Sequence, residues 1–183
     1  MRAIIILLTL SIYSLAINLP YKFYTTIASV NGNSVTLSEA MPYKGMSALV
    51  VRYTPNGEYA LVFINQTSNS NRATIIDKDP VGGGHLAMLK PTPKVGDRVI
   101  GGLNYDKVLL LAPKSRYNQI ISQLGVNSIN PELYQAYIAN SKSRGYRDFA
   151  KLTGIGLVIV AKGNTLEVID AISEKTILKE RVK

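Results

Sequence analysis

Apolar and polar positions change period once along this chain of 183 residues. In the first half they follow the two-residue rhythm of strands. Residues 24–30 (YTTIASV) and 35–38 (VTLS) flank Asn31-Gly32-Asn33. Asn-Gly between two such runs predicts a hairpin, because both positions tolerate φ > 0. Residues 47–54 (SALVVRYT) and 58–65 (EYALVFIN) flank Pro55-Asn56-Gly57 and predict a second hairpin. The polar segment 67–71 is a loop, and 72–78 (RATIIDK) is a fifth strand. Residues 79–93 are the least regular, with Gly82-Gly83-Gly84 and Pro91-Thr92-Pro93; residues 95–100 read as a turn feeding a sixth strand. Short strands separated by turns at roughly 8–12-residue spacing predict a small barrel or sandwich.

The stretch 95–124 carries the change of period. Within residues 107–112 (KVLLLA), Val108 to Ala112 form an unbroken apolar run, which predicts a strand covered on both faces. Tyr117, Ile120, Ile121 and Leu124 then fall on one face of a helix that Pro113 opens and Gly125 stops. Asn130-Pro131-Glu132 has the cap, the proline and the acid of a second helix start. That helix is expected to bury Leu133, Tyr134, Tyr137 and Ile138. A third, short helix over 146–153 buries Phe149 and Ala150 between Gly145 and Gly154. Residues 157–161 (LVIVA) predict a central strand, Gly163-Asn164 a turn, 165–170 its partner and 175–181 a charged edge strand. The expected class is α+β, with a β-rich, barrel- or sandwich-like N-terminal subdomain (17–104). An α/β subdomain (105–183) of three helices and a C-terminal antiparallel sheet completes it.

The first residues set an expected compartment. Met1-Arg2, the apolar run 3–12 and the small-x-small Ser14-Leu15-Ala16 have the layout of a secretory signal peptide, with cleavage after Ala16. The apolar run is too short for the ~20 residues a membrane-spanning helix needs. Cleavage leaves 183 − 16 = 167 residues, expected as one domain in the periplasm. There are no cysteines, so disulfides, Cys-ligated metals and Cys nucleophiles are all excluded. The formal charge is +9, and 9 − 1 = +8 without Arg2. In an exported chain this favours acidic protein or envelope surfaces over nucleic acid, or simply a solvated surface.

No residue pattern assembles catalytic or metal chemistry, and no cofactor is expected. Gly82-Gly83-Gly84-His85 lacks the Lys-Ser/Thr of a phosphate loop and any nucleophile motif, so a plain loop is expected. His85 is the sole histidine, too little for a triad or a two-histidine metal site. Asp77 and Asp79 lack the calcium-loop series and read as a turn, as does Gly96-Asp97. Lys142, Arg144, Arg147 and Lys151 crowd together, with the last two at i, i+4. They are either a docking patch for an acidic partner or the solvent face of a short helix. Of the tyrosines, Tyr117, Tyr134, Tyr137 and Tyr146 belong to apolar stripes, whereas Tyr43, Tyr53 and Tyr59 are the candidates for surface contact.

Gly96-Asp97, the run 107–113 and Tyr117-Asn118-Gln119-Ile120 resemble the N-terminal domain family of the plasminogen-binding protein of Helicobacter and its relatives. So do residues 156–160, Asn164-Thr165-Leu166 and 174–181. The resemblance implies a non-enzymatic, exported epsilonproteobacterial envelope protein. Two roles are open. One is a periplasmic binding or scaffold component whose partners are other envelope proteins, with the polar flagellar motor as a candidate assembly. The other is a cell-surface binder of host plasminogen, in which the ammonium and carboxylate of a C-terminal lysine, Lys183, fill a kringle site.

Overall fold

The computed structural model describes residues 18–80, 92–141 and 145–181. Six strands form the first half: β1 Phe23–Asn31, β2 Ser34–Leu37, β3 Ser47–Thr54, β4 Gly57–Gln66, β5 Arg72–Asp77 and β6 Arg98–Gly101. They close into an antiparallel barrel in the order β1-β2-β5-β4-β3-β6, and β6 returns to β1 with Phe23 opposite Gly101. Closure leaves none of these strands as an open edge. The expected Asn-Gly hairpin joins β1 to β2, with Gly32 at φ +58°. Alternation carries Ile27, Val35, Leu37, Val50, Ile64 and Val99 inward, all at 1% exposure or less. Each such side chain contributes about 1.5–3 kcal/mol by leaving water. The sixth strand begins at Arg98, after the expected turn, in which Gly96 adopts φ +89° and Val95 is exposed.

The second half contains β7 Lys107–Leu111, α1 Lys114–Leu124, β8 Asn127–Ile129, α2 Pro131–Asn140, α3 Tyr146–Thr153, β9 Leu157–Lys162, β10 Thr165–Asp170 and β11 Thr176–Arg181. Its sheet runs β11-β10-β9-β7-β8. As anticipated, β9 is central and β11 is an edge. The sheet is not purely antiparallel, however: β7 runs parallel to both β8 and β9. The reason is connectivity. Parallel neighbours need a long crossover, and the helices supply it, α1 between β7 and β8, then α2 and α3 before β9. The three-residue β8 has no pattern long enough to be read in advance.

The two faces of this sheet bury different cores. Val108, Leu110, Leu157 and Ile159 join the barrel residues and Ile120 of α1 in one cluster. Leu109 and Val158, one residue out of phase, join Tyr134, Phe149, Ala150 and Ile155 in a second cluster involving α2 and α3. Coverage on both faces is why 108–112 is apolar without interruption. Leu133 was expected in the core but is 53% exposed. Tyr134, Tyr137 and Ile138 form the i, i+3, i+4 stripe, and Leu133 lies about 100° off it. Among the described residues, no helix is long and apolar enough to cross a membrane.

A buried polar knot joins the halves. Asp170, at the end of β10, has no exposed surface. Its Oδ2 accepts from Ser47 N–H and Oγ–H, both at 2.8 Å, and from the Tyr105 hydroxyl at 2.5 Å. Its Oδ1 accepts from the N–H groups of Ile172 (3.1 Å) and Ser173 (2.7 Å). Burial, and then the Asp170 charge, pushes the Tyr105 hydroxyl well above its usual pKa of 10.0. Ser173 Oγ in turn donates to the Gly45 carbonyl at 2.5 Å.

Candidate interaction surfaces

Arg147 and Lys151, the two described residues of the basic cluster, are both held by contacts within the protein. Lys151 forms an ion pair with Asp77 of β5 and donates to the Asp79 carbonyl at 2.8 Å. Arg147 Nε donates to the Ile172 carbonyl at 2.7 Å. Lys142 and Arg144 lie outside the described residues, as do Gly82-Gly83-Gly84-His85, Lys183 and the residues 1–16 read as a signal. Asp77 does form the expected turn, accepting from Asp79 N–H at 2.8 Å. Its partner Lys151, far along the chain, leaves no local pattern. Asp97 likewise caps its turn through Lys94 N–H (2.6 Å), but it also holds Arg52 in a two-pronged pair at 2.8 and 2.7 Å. Such fork-to-carboxylate geometry is among the stronger polar contacts.

The tyrosines divide mostly as expected. Tyr134 packs against Tyr146 (5.4 Å between ring centres) and Phe149 (5.0 Å), and burial raises the pKa of both Tyr134 and Tyr146. Tyr53 and Tyr59 are exposed. Tyr43 is the exception, half-buried against the barrel core, because the loop before β3 folds inward to place Met41 and Met46.

The barrel wall carries a cluster that the sequence did not single out. Arg98 on β6 pairs with Thr26 of β1 and Val51 of β3. Tyr24 lies two residues before Thr26 and Tyr53 two residues after Val51, the diagonal positions that long side chains reach. The guanidinium accordingly lies 5.0 Å from the Tyr24 ring centre and 5.7 Å from that of Tyr53, and Nη1 donates to the Tyr53 hydroxyl at 2.9 Å. The rings remain 51% and 56% exposed. The outward phase of the alternation in β1 and β3 was the signal for them; their convergence depends on register.

A cleft of about 620 Å³ opens where the barrel meets β11. Tyr43, Lys44 and Gly45 form one wall, Asn65 and Gln66 of β4 another, and Lys175 and Ile177 the third. Gly45 adopts φ +88°, and a Cβ there would come within 2.8 Å of Lys175 Cβ. Glycine is therefore what lets the two halves close together at this point.

Fold and surfaces define an α+β protein in which a closed antiparallel barrel shares its core with a mixed sheet. The chain belongs to the family described as plasminogen-binding protein pgbA N-terminal, whose model matches residues 22–183. No curated protein and no solved structure matches it.

Proposed function

We propose that this chain is a non-enzymatic, exported envelope protein that acts as a periplasmic binding or scaffold component. The observation that carries this reading is the exposed Tyr24–Arg98–Tyr53 cluster. Tyrosine and arginine are the residue types concentrated at the energetic centres of protein interfaces. Between themselves, exposed cation–π contacts of this kind are worth only ~0.5–1 kcal/mol. Two half-exposed rings around a guanidinium therefore gain far more by being covered. The polar groups of the interior support the non-catalytic part. Asp170 and Asp97 are occupied by structural donors, leaving neither as a ready acid or base. Export rests on the pattern of residues 1–16, and the polar flagellar motor is the assembly to examine first.

In-cell photocrosslinking from the exposed position 58, which pairs with Tyr53 across β3 and β4 but lies outside the cluster, followed by mass spectrometry, tests the reading. Capture of periplasmic or motor proteins that Arg98→Ala and Tyr53→Ala both diminish is the expected result. Capture unaffected by either substitution removes the cluster as the docking face. A strain lacking the protein that swims normally removes the motor.

A second reading comes from the family's description, which names plasminogen binding. Here Lys183 is the contact and the protein is displayed at the cell surface. Whole-cell plasminogen binding that a lysine analogue competes away would favour it. Protection of the protein from added protease in intact cells would exclude it.

A further inference from the structure

We infer that the cleft between the barrel and β11 binds an acidic carbohydrate, a sugar that carries a carboxylate among its hydroxyls. Three observations converge there. First, Lys44 and Lys175 line it from opposite halves of the molecule, and neither ammonium has an ion-pair partner among the described residues. No acidic residue is among the described residues that line the cleft, so the lining itself is net positive and favours an anion.

Second, two neighbouring amides are treated differently. Gln66 is saturated: its Oε1 accepts from Met41 N–H at 2.6 Å and its Nε2 donates to the Met41 carbonyl at 2.8 Å. Asn65 is 7% exposed, and its Nδ2 reaches only the Gly45 carbonyl, at 3.4 Å. No described residue donates to its Oδ1. Yet no fully buried side-chain polar atom lacks a partner among the described residues, so Oδ1 is reached from the cleft. An accessible acceptor on a side chain that is otherwise held in place can take a hydroxyl donor from a ligand in exchange for water.

Third, the half-buried Tyr43 and Ile177 add apolar surface to the same walls. A ligand that presents an anion, a hydroxyl donor and a C–H face together is an acid sugar. The volume lies within the range of ordinary small-ligand sites. The walls are also fixed in advance, since the Gly45 carbonyl is held by both Ser173 Oγ and Asn65 Nδ2. This inference goes beyond the scaffold reading and stands whether or not that reading does.

Calorimetric titration of the full chain with digalacturonate and with a muramic-acid-containing disaccharide tests it, with the neutral disaccharide galactobiose as the comparison. Saturable binding of at least one acid disaccharide is expected, about tenfold or more tighter than galactobiose and weakened by added salt. The exposed double variant Lys44→Gln/Lys175→Gln should lose about tenfold in affinity for the acid sugar while unfolding at the wild-type temperature. Lys179→Gln, outside the cleft, should bind as wild type. Failure of both acid disaccharides to saturate would overturn the inference, as would equal binding of galactobiose or full affinity in the double variant. Saturable binding of an acidic peptide in place of the sugars would overturn the carbohydrate assignment.

Discussion

At the scale of single residues, the acids of this protein are anchors. Asp170 accepts from five donors and has no exposed surface. Asp170→Asn keeps the shape but turns an NH2 toward N–H and O–H groups that need an acceptor. It should lower unfolding free energy by roughly 3 kcal/mol or more, read by urea denaturation. Ser47→Ala removes one donor and should cost nearer 1 kcal/mol in the same assay. Glu167 is a milder case. Hydrogen bonds from Thr176, Lys162 and Lys179 lower its pKa from 4.5 to about 2. A pKa lower in the folded than in the unfolded chain stabilises above the unfolded value and loses that contribution as pH falls through the folded one. Part of the stability should therefore disappear between about pH 4.5 and pH 2, and Glu167→Gln should flatten that portion of a pH–stability curve. Little of this was readable in advance. A lone aspartate at the end of a strand looks like any other until the fold brings Ser47, Tyr105 and the 172–173 backbone around it.

Among the elements, local chemistry set nearly everything except partnership. Asn31-Gly32, Asn130-Pro131-Glu132 and the glycines after α1 and α3 each act through their immediate neighbours, so hairpin, caps and stops were legible. The parallel pairing of β7, the strand β8 and the Lys151–Asp77 pair depend on contacts between distant segments, and period alone does not encode them. The Arg98 cluster failed for the same reason, since only register sets Tyr24 and Tyr53 on its two diagonals. Gly156, just before β9, shows how tight one junction is: a Cβ there would collide with the backbone of Leu103 and Asn104. Gly156→Ala should destabilise by about 2 kcal/mol or more, seen as a clear drop in midpoint temperature. Wild-type stability in that variant would mean that the 103–104 turn yields easily. Lys151→Ala should cost about 1–3 kcal/mol, since it strips a half-buried carboxylate of its partner.

For the whole molecule, the deciding fact is that one hydrophobic cluster runs from Ile27, Leu37 and Val50 in the barrel to Val108, Leu110 and Leu157 in the sheet. The barrel and the sheet therefore bury part of their apolar surface against each other. Unfolding should therefore be a single transition, with far-UV circular dichroism and amide exchange in barrel and sheet reporting the same midpoint. Leu110→Ala, which opens a cavity on the shared side of the sheet, should lower both reporters together by about 2–5 kcal/mol. Two separated midpoints would show that the barrel is an independent folding unit. The pairing of Phe23 with Gly101 has one more consequence. The chain enters and leaves the barrel at adjacent rungs, so tension applied between the N-terminal end and the sheet meets the barrel at a single point. It would peel β1 from β6 one rung at a time, beginning at Phe23, in place of shearing the ladder all at once. Along that axis the barrel is a release point under load, whereas a pull taken up wholly within the sheet leaves it slack.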